Sequence, residues 1–278
     1  MLVTLKEILK IAEEKKIAIG SFNTPNESSV KAVVAAAEEL CQPVIIMHAQ
    51  VHEEMGLCKM ADIAPIMLHY AKKASVPICV HLDHGTDLDY VKAGLELGFT
   101  SVMYDGSTLP TDENTENTKA AVAAAKKYGA SVEAEIGSMG AREGGDGVGA
   151  ASIYTDPDAA VKFVADTGID ALACAFGTSH GFYKDAPKLD FDRVEKINSM
   201  IDVPIVMHGG SGVSEGDYQK VISRGVRKVN YYTYMSKAGA DAVAGKTFSQ
   251  LHDLLLAAEA AMKENVKNAI SLFAGIKE

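Results

Sequence analysis

Short apolar runs rich in β-branched residues recur along the whole chain, at 17–22, 43–48, 77–82, 101–104, 130–136, 171–176, 204–208 and 228–232. Several are apolar at every position, as strands covered on both faces are. Between them lie longer stretches in which apolar residues recur with helical spacing, at 28–40, 60–73, 87–97, 113–128, 157–167, 191–200 and 215–223. Eight strands alternating with helices predict an α/β chain folded as a (β/α)8 TIM barrel. A doubly wound open sheet is the rival. No GxGxxG motif opens a helix after the first strand, which counts against it. Residues 5–15 add a helix before the first strand. Residues 248–273, rich in Ala and Leu, read as one long terminal helix or two. No Pro/Gly/Ser linker divides the chain, so a single barrel domain is expected over 1–278.

Composition narrows the function classes. Hydrophobic residues make up 47% of the chain, ample for a packed core, which excludes disorder as the main state. The 27 Lys and Arg against 37 Asp and Glu leave a net charge of −10, the wrong sign for a nucleic-acid partner. No apolar run approaches the ~20 residues of a membrane span, and the first residues lack the apolar core of a signal peptide. The four cysteines show no CxxC spacing. A cytoplasmic protein with reduced thiols, and with neither nucleic-acid nor membrane partners, is the expectation.

In a barrel of this kind reactive groups collect where strands end. The third run leads into His81-Leu-Asp-His-Gly85, the sixth into Thr178-Ser-His-Gly181, and the seventh into Met207-His-Gly-Gly-Ser-Gly212. His84, His180 and His208 are thus each followed by glycine, each just past a different strand. Three neutral imidazoles on one rim make a zinc site with a position open to substrate. A lone histidine of this kind is more often a hydrogen-bonded structural residue; three together reverse that reading. Alternation along the strand turns His81 the other way. His48 is a weaker candidate, and His52, His69 and His252 read as helix or loop residues.

Carboxylates cluster at the same rim. Asp83 adjoins His84, either as a general acid/base or as a partner that orients a ligand. Asp105 and Glu135 end the fourth and fifth strands, either as part of an acidic cluster able to hold a second cation or as structural carboxylates. After the fifth strand comes a segment, 137–149, with six glycines. It reads as a lid carrying Arg142 and Glu143, or as a solvated loop. Loops after the seventh and eighth strands of such barrels often bind phosphate through backbone N–H groups. Here they carry Gly209, Gly210 and Ser211, then Asn230 and Thr233. Lys184 adds a point charge.

Taken in order, these residues resemble the class II, zinc-dependent ketose-bisphosphate aldolases, which include the fructose- and tagatose-bisphosphate enzymes. The likeness rests on Phe22-Asn23, His81-Leu-Asp-His-Gly85, Ser101-Val-Met-Tyr-Asp-Gly-Ser107 with Leu109-Pro110, and Glu135-Ile-Gly. It continues through Ala175-Phe-Gly-Thr-Ser-His-Gly181, Tyr183-Lys184, Pro187-Lys-Leu-Asp-Phe191, His208-Gly-Gly-Ser-Gly212 and Lys228-Val-Asn230.

The resemblance implies that His84, His180 and His208 bind Zn2+, with Asp105 and Glu135 near an alternative metal position. It implies that Asp83 is the acid/base on the aldehyde side and that Glu143 moves the C3 proton of dihydroxyacetone phosphate. Gly181, Gly209, Ser211, Asn230 and Thr233 would hold that ketone phosphate, alongside Asn23, Lys184 and Gly210. Backbone carbonyls near Gly181 and Gly209 would bind Na+ or K+. The family further suggests a homodimer or homotetramer.

Three departures stand out. Tyr231 and Tyr232 replace small or polar residues. Gly144 replaces the acid that usually follows Glu143. The chain has four arginines, Arg142, Arg193, Arg224 and Arg227, and none follows Arg227. The family's C-terminal arginine, which grips the aldehyde-half phosphate from a neighbouring subunit, is therefore missing, as Ser249-Gln-Leu-His-Asp253 stands there. Altered selectivity is expected: a ketose 1-phosphate, or a bisphosphate whose distal group meets Arg142. The plainer alternative is a bisphosphate aldolase that uses lysines such as Lys237 or a partner chain. A non-catalytic sugar-phosphate-binding paralogue is a further alternative. A metal-dependent hydrolase is disfavoured, because the first strand lacks the HxH pair such enzymes place there.

Overall fold

The computed structural model of the chain describes residues 1–137, 154–183 and 185–276. It opens with a two-residue strand, β1 (Leu2–Val3), and helix α1 (Leu5–Lys15). Thr4 starts α1 through a capping box: its hydroxyl accepts from the Glu7 N–H, and the Glu7 carboxylate accepts from the Thr4 N–H. Strand β2 (Ile19–Asn23), α2 (Glu27–Glu39), β3 (Val44–Ala49), α3 (Gln50–Glu54), α4 (Met60–Lys73), β4 (Ile78–Gly85) and α5 (Leu88–Glu96) follow. The middle of the chain holds β5 (Ser101–Tyr104), α6 (Thr111–Lys126), β6 (Ser131–Ile136), α7 (Pro157–Thr167), β7 (Ala171–Cys174) and α8 (Phe191–Met200). It ends with β8 (Ile205–Met207), α9 (Glu215–Ser223), β9 (Val226–Tyr231), α10 (Thr233–Val243) and α11 (Leu251–Phe273).

Strands β2 to β9 are parallel and close on themselves, with β2 hydrogen-bonded to β9 and β4 to β5. This is the expected (β/α)8 barrel. β1 lies beside β4 in register Leu2↔Ile78. The 248–273 segment is one helix, not two. The short α3 and the whole of α10 are elements that the sequence pattern does not announce.

Alternation along each strand divides the protein into two layers. One face packs against the surrounding helices in a large apolar shell that includes Ile46, Val80, Leu82, Val102, Val132 and Leu172. The other face fills the lumen. At its N-terminal end Leu5, Ile8, Leu9 and Ala12 of α1 close the barrel against Ile19, Ile45, Cys79 and Ala171. Higher up the same strands, the inward positions become polar: Ser21 and Asn23, His81 and Asp83, Glu133 and Glu135, Lys228 and Asn230 are all buried.

Candidate active site

The C-terminal rim is built from strand ends that do not follow simple alternation. In β4, His81 and Asp83 face inward while Leu82 packs into the outer shell. His84 should then point outward. Instead the pairing of β4 with β5 slips between Leu82 and Gly85, and His84 takes a left-handed backbone with φ 48°. A non-glycine residue rarely adopts that conformation, and at such places strain and function tend to coincide. The twist swings His84 onto the rim beside Asp83. Gly85 follows because a Cβ there would stand 2.9 Å from the Met103 carbonyl.

His180 arrives on the loop after β7, and His208 directly follows β8. The three imidazoles converge, with ring centroids 4.5 Å (His84–His208), 5.1 Å (His84–His180) and 6.0 Å (His180–His208) apart. One nitrogen from each lies within 4.8 Å of the other two. His84, Asp105 and Glu135 form a second set that meets the same criterion.

Hydrogen bonds settle which nitrogens face the centre. His84 Nδ1 is 2.8 Å from Asp105 Oδ2, and His208 Nε2 is 2.7 Å from Glu133 Oε1. Carboxylates only accept, so each takes its ring's proton. His84 Nε2 and His208 Nδ1 then face each other at 2.8 Å across the centre. Burial pulls the His84 pKa down, but the Asp83 and Asp105 carboxylates outweigh it and raise it to about 10. This cluster of carboxylates favours a positive charge here, which a proton on His84 Nε2 or a metal cation at the two nitrogens would supply. Glu135 Oε2 is buried without a hydrogen-bond partner, 3.8 Å from His208 Nδ1. Burial and then the Asp105 charge push the Glu135 pKa well up. The donor set fits a divalent metal.

Asp83 is 1% exposed and is gripped on both oxygens, by Asn23 Nδ2 at 3.1 Å and Asn230 Nδ2 at 3.0 Å. Burial alone would raise its pKa, but the His84, His208 and Lys228 charges pull it far below the usual carboxylate range. Asp105 is lowered too: burial opposes, and the His84 and Ser107 hydrogen bonds prevail.

Beside Asp83 and His180 opens a cleft of about 280 Å³, counted to its mouth. Asn23, Gly181, Gly209, Gly210, Ser211, Asn230, Tyr231, Tyr232 and Thr233 complete its walls. The glycines have steric reasons. Gly209 has φ 63°, and a Cβ there would sit 2.4 Å from the Ser179 carbonyl oxygen. At Gly210 a Cβ would meet the Asn230 carbonyl at 2.7 Å. Tyr183 donates its hydroxyl to the Gly209 carbonyl at 2.8 Å, and the Tyr232 N–H donates to Ser211 Oγ at 3.1 Å.

Asn23, Asp83, His84, His180, Gly181, His208, Gly209, Gly210, Ser211, Asn230 and Thr233 therefore meet at one place, with Asp105 and Glu135 alongside. Arg142, Glu143, Gly144 and Lys184 lie outside the described residues. Two expectations about histidines change. His81 turns inward rather than away, with Nδ1 2.8 Å from Ser101 Oγ; it is His84 whose direction breaks the alternation. His48 does not join the site: it contacts the Tyr90 hydroxyl at 2.9 Å and Cys58 on the outer side of β3. His52, read as an ordinary helix or loop residue, is buried with its ring 4.8 Å from that of Tyr232 on the cleft wall. Tyr231 packs outward, edge-on to Phe22 and Phe273.

Glu133, which holds His208, is absent from the sequence candidates. Its signal was the Glu133/Glu135 pair two apart in a strand, which puts two acids into one lumen. The described arginines serve elsewhere. Arg193 pairs with Asp190 and donates to the Thr155 carbonyl, Arg224 pairs with Glu195, and Arg227 is buried against Glu13. Lys237 pairs with Asp241.

Comparison with known proteins places the chain in a family. Residues 3–277 match the family model described as fructose-bisphosphate aldolase class-II. A fructose-bisphosphate aldolase of Staphylococcus aureus (strain Mu50 / ATCC 700699) is 37% identical over 98% of this chain and 97% of its own length. One from Geobacillus stearothermophilus is 42% identical over 84% of this chain and 81% of its own. Among solved structures, the YdjI aldolase from Escherichia coli K12 superposes with a TM-score of 0.89 at 34% identity, covering 98% of this chain and 97% of that one. With a rim of three converging imidazoles and a match that runs from end to end, the chain belongs to the class-II fructose-bisphosphate aldolase family and is a metal-dependent aldehyde-lyase.

Proposed function

We propose that this site reversibly cleaves the C3–C4 bond of a ketose phosphate, such as fructose or tagatose 1,6-bisphosphate, into dihydroxyacetone phosphate and an aldehyde. The observation that carries the reading is the convergence of His84, His180 and His208 beside a doubly anchored Asp83. The three histidines would hold Zn2+, with His84, Asp105 and Glu135 as its alternative position. A bound divalent cation supplies the positive charge that stabilises the ketone half as negative charge builds up on it.

The chain's own groups do the rest. Asp83, with both oxygens directed by amide donors, takes the proton of the C4 hydroxyl during cleavage and returns it during condensation. Glu143 is assigned the proton at C3 from the sequence resemblance. Gly209 and Ser211 present backbone N–H groups and Ser211 its hydroxyl to the ketone phosphate, while Gly210, whose N–H goes to the Asn230 carbonyl, leaves the room a Cβ would fill, with Gly181, Asn230 and Thr233 across the cleft. Asn23 orients Asp83, and Lys184 is assigned an added positive charge from the sequence alone. Backbone carbonyls near Gly209 and Gly181 would bind Na+ or K+, as the sequence resemblance implies; among the described residues Tyr183 donates its hydroxyl to the Gly209 carbonyl.

A second reading concerns the aldehyde half. Among the described residues no arginine or lysine lines the cleft. That favours a ketose 1-phosphate, or a bisphosphate whose distal group meets Arg142. Release of dihydroxyacetone phosphate from both bisphosphates and both 1-phosphates, compared as kcat/KM, tests the two readings together. No release from any of them by the zinc-loaded protein would defeat the first. A bisphosphate preference above ~100-fold that survives Arg142→Ala would defeat the second.

A homodimer or homotetramer fits the exposed Leu251, Leu255 and Leu256 of α11, and light scattering would measure it. A cytoplasmic location fits the four free cysteines. Among the described residues no helix is long and apolar enough to cross a membrane.

A further inference from the structure

Inside the barrel, below the rim, lies an ion pair that the reaction as written does not call on. Lys228 of β9 and Glu133 of β6 are both fully buried, with Nζ 2.9 Å from Oε2. Two strands, β7 and β8, separate theirs, so the pair reaches across the lumen; β7 offers only Ala171 and Ala173 there.

Stability does not account for it. A buried ion pair loses the hydration of both charges, and replacing one by apolar residues of similar size is often neutral or stabilising.

The far ends of the pair are what matter. Glu133 Oε1 is 2.7 Å from His208 Nε2. Lys228 Nζ donates to Asn230 Oδ1 at 2.7 Å, and Asn230 Nδ2 donates to Asp83 Oδ1 at 3.0 Å. Each contact removes an ambiguity. An imidazole has two tautomers, and a carboxylate on Nε2 selects the one whose lone pair is on Nδ1. An amide has two faces, and an ammonium, which only donates, must meet its oxygen and so turn its NH2 towards Asp83.

We propose that Glu133 and Lys228 are positioning residues: one internal ion pair sets the metal-facing nitrogen of His208 and, through Asn230, the amide that grips Asp83. The proposal rests on the roles given above to His208 and Asp83.

Two single variants separate its halves. Glu133→Gln weakens the acceptor on His208, and zinc affinity, measured by competition with a chromophoric chelator, falls ~10–100-fold. Lys228→Met keeps the length but frees the Asn230 amide to flip. It holds zinc at least as tightly as the parent, loses ~10–100-fold in kcat for cleavage, and at saturating dihydroxyacetone phosphate exchanges the C3 proton with solvent at a rate within about threefold of the parent. A structural filler would move the melting temperature without this split. If a single variant fails to fold, Glu133→Gln with Lys228→Met leaves no unpaired buried charge; it then binds zinc weakly and cleaves slowly although folded.

Asp83→Ala is the reference. Parental zinc affinity in Glu133→Gln overturns the Glu133 half. Parental cleavage by Lys228→Met, with Asp83→Ala inactive, overturns the Lys228 half. Parental cleavage by Asp83→Ala itself instead overturns the role given to Asp83, and the Lys228 half with it, while zinc affinity still decides the Glu133 half.

Discussion

The lumen of this barrel has two halves made by the same strands. The lower half is apolar: Leu5, Ile8 and Leu9 of α1 press against Ile19, Ile45 and Cys79. The upper half buries Asp83, four residues beyond Cys79 on β4, together with Glu133, Glu135, His208, Lys228 and Asn230. In the lower half a side chain need only fill space, and the gain comes from removing apolar area from water. In the upper half every group must find a partner of the right polarity, because an unpaired buried charge costs far more than a hydrogen bond returns. Fold stability and chemistry are thus stacked along one axis. Changes above should alter metal binding and rate, and changes below should alter melting.

The sharpest way to break that division is at His208. His208→Ala should lose zinc and reduce cleavage by roughly 10³-fold or more, with far-ultraviolet circular dichroism unchanged. Full activity, or full zinc content by elemental analysis, would contradict the metal assignment. Exhaustive chelation of the parent should have the same effect, and added zinc should reverse it.

Next comes Asp83→Ala. It should keep its zinc yet lose ~10²–10⁴-fold in cleavage rate. Loss of zinc together with rate would mean that Asp83 serves mainly to hold His84.

The lower half should show the opposite pattern. Leu9 is 1% exposed, and Leu9→Ala should cost about 2–5 kcal/mol of stability in urea unfolding. Its kcat/KM per folded molecule should stay within about twofold of the parent. A large kinetic effect would show that the halves are coupled.

The smallest expected effect is at the helix that seals the bottom. Thr4→Ala removes the cap of α1 and should cost about 1 kcal/mol, seen as a lower Tm at unchanged zinc affinity.

Much of the architecture was legible because it rests on short-range pattern. Helices at 60–73, 157–167, 191–200 and 215–223 have the expected bounds, and 101–104 is a strand as read. α3 escaped notice because five residues carry no full helical period. α10 begins one residue after β9 without a side-chain cap, and it owes its place to α11: a Cβ on Gly239 would stand 3.0 Å from Met262. Among site residues, His84, His180 and His208 announced themselves by standing before glycines past strand ends. Glu133 and Lys228 did not, because in an apolar strand each is only a lone charge until its partner is known.

The sequence by itself determined the alternation of strands and helices, the rim on which reactive groups gather, and which three histidines and which aspartate meet there. Periodicity is a local property, and glycines mark turns wherever they occur. Tertiary structure alone decided which way each group faces. His84 reaches the site through a slipped β4–β5 register and a left-handed backbone. The Lys228–Glu133 pair exists because closing the sheet turns β9 and β6, with two strands between them, to face one lumen. Those outcomes depend on contacts between residues 95 positions apart in the chain, and no window along the sequence contains both.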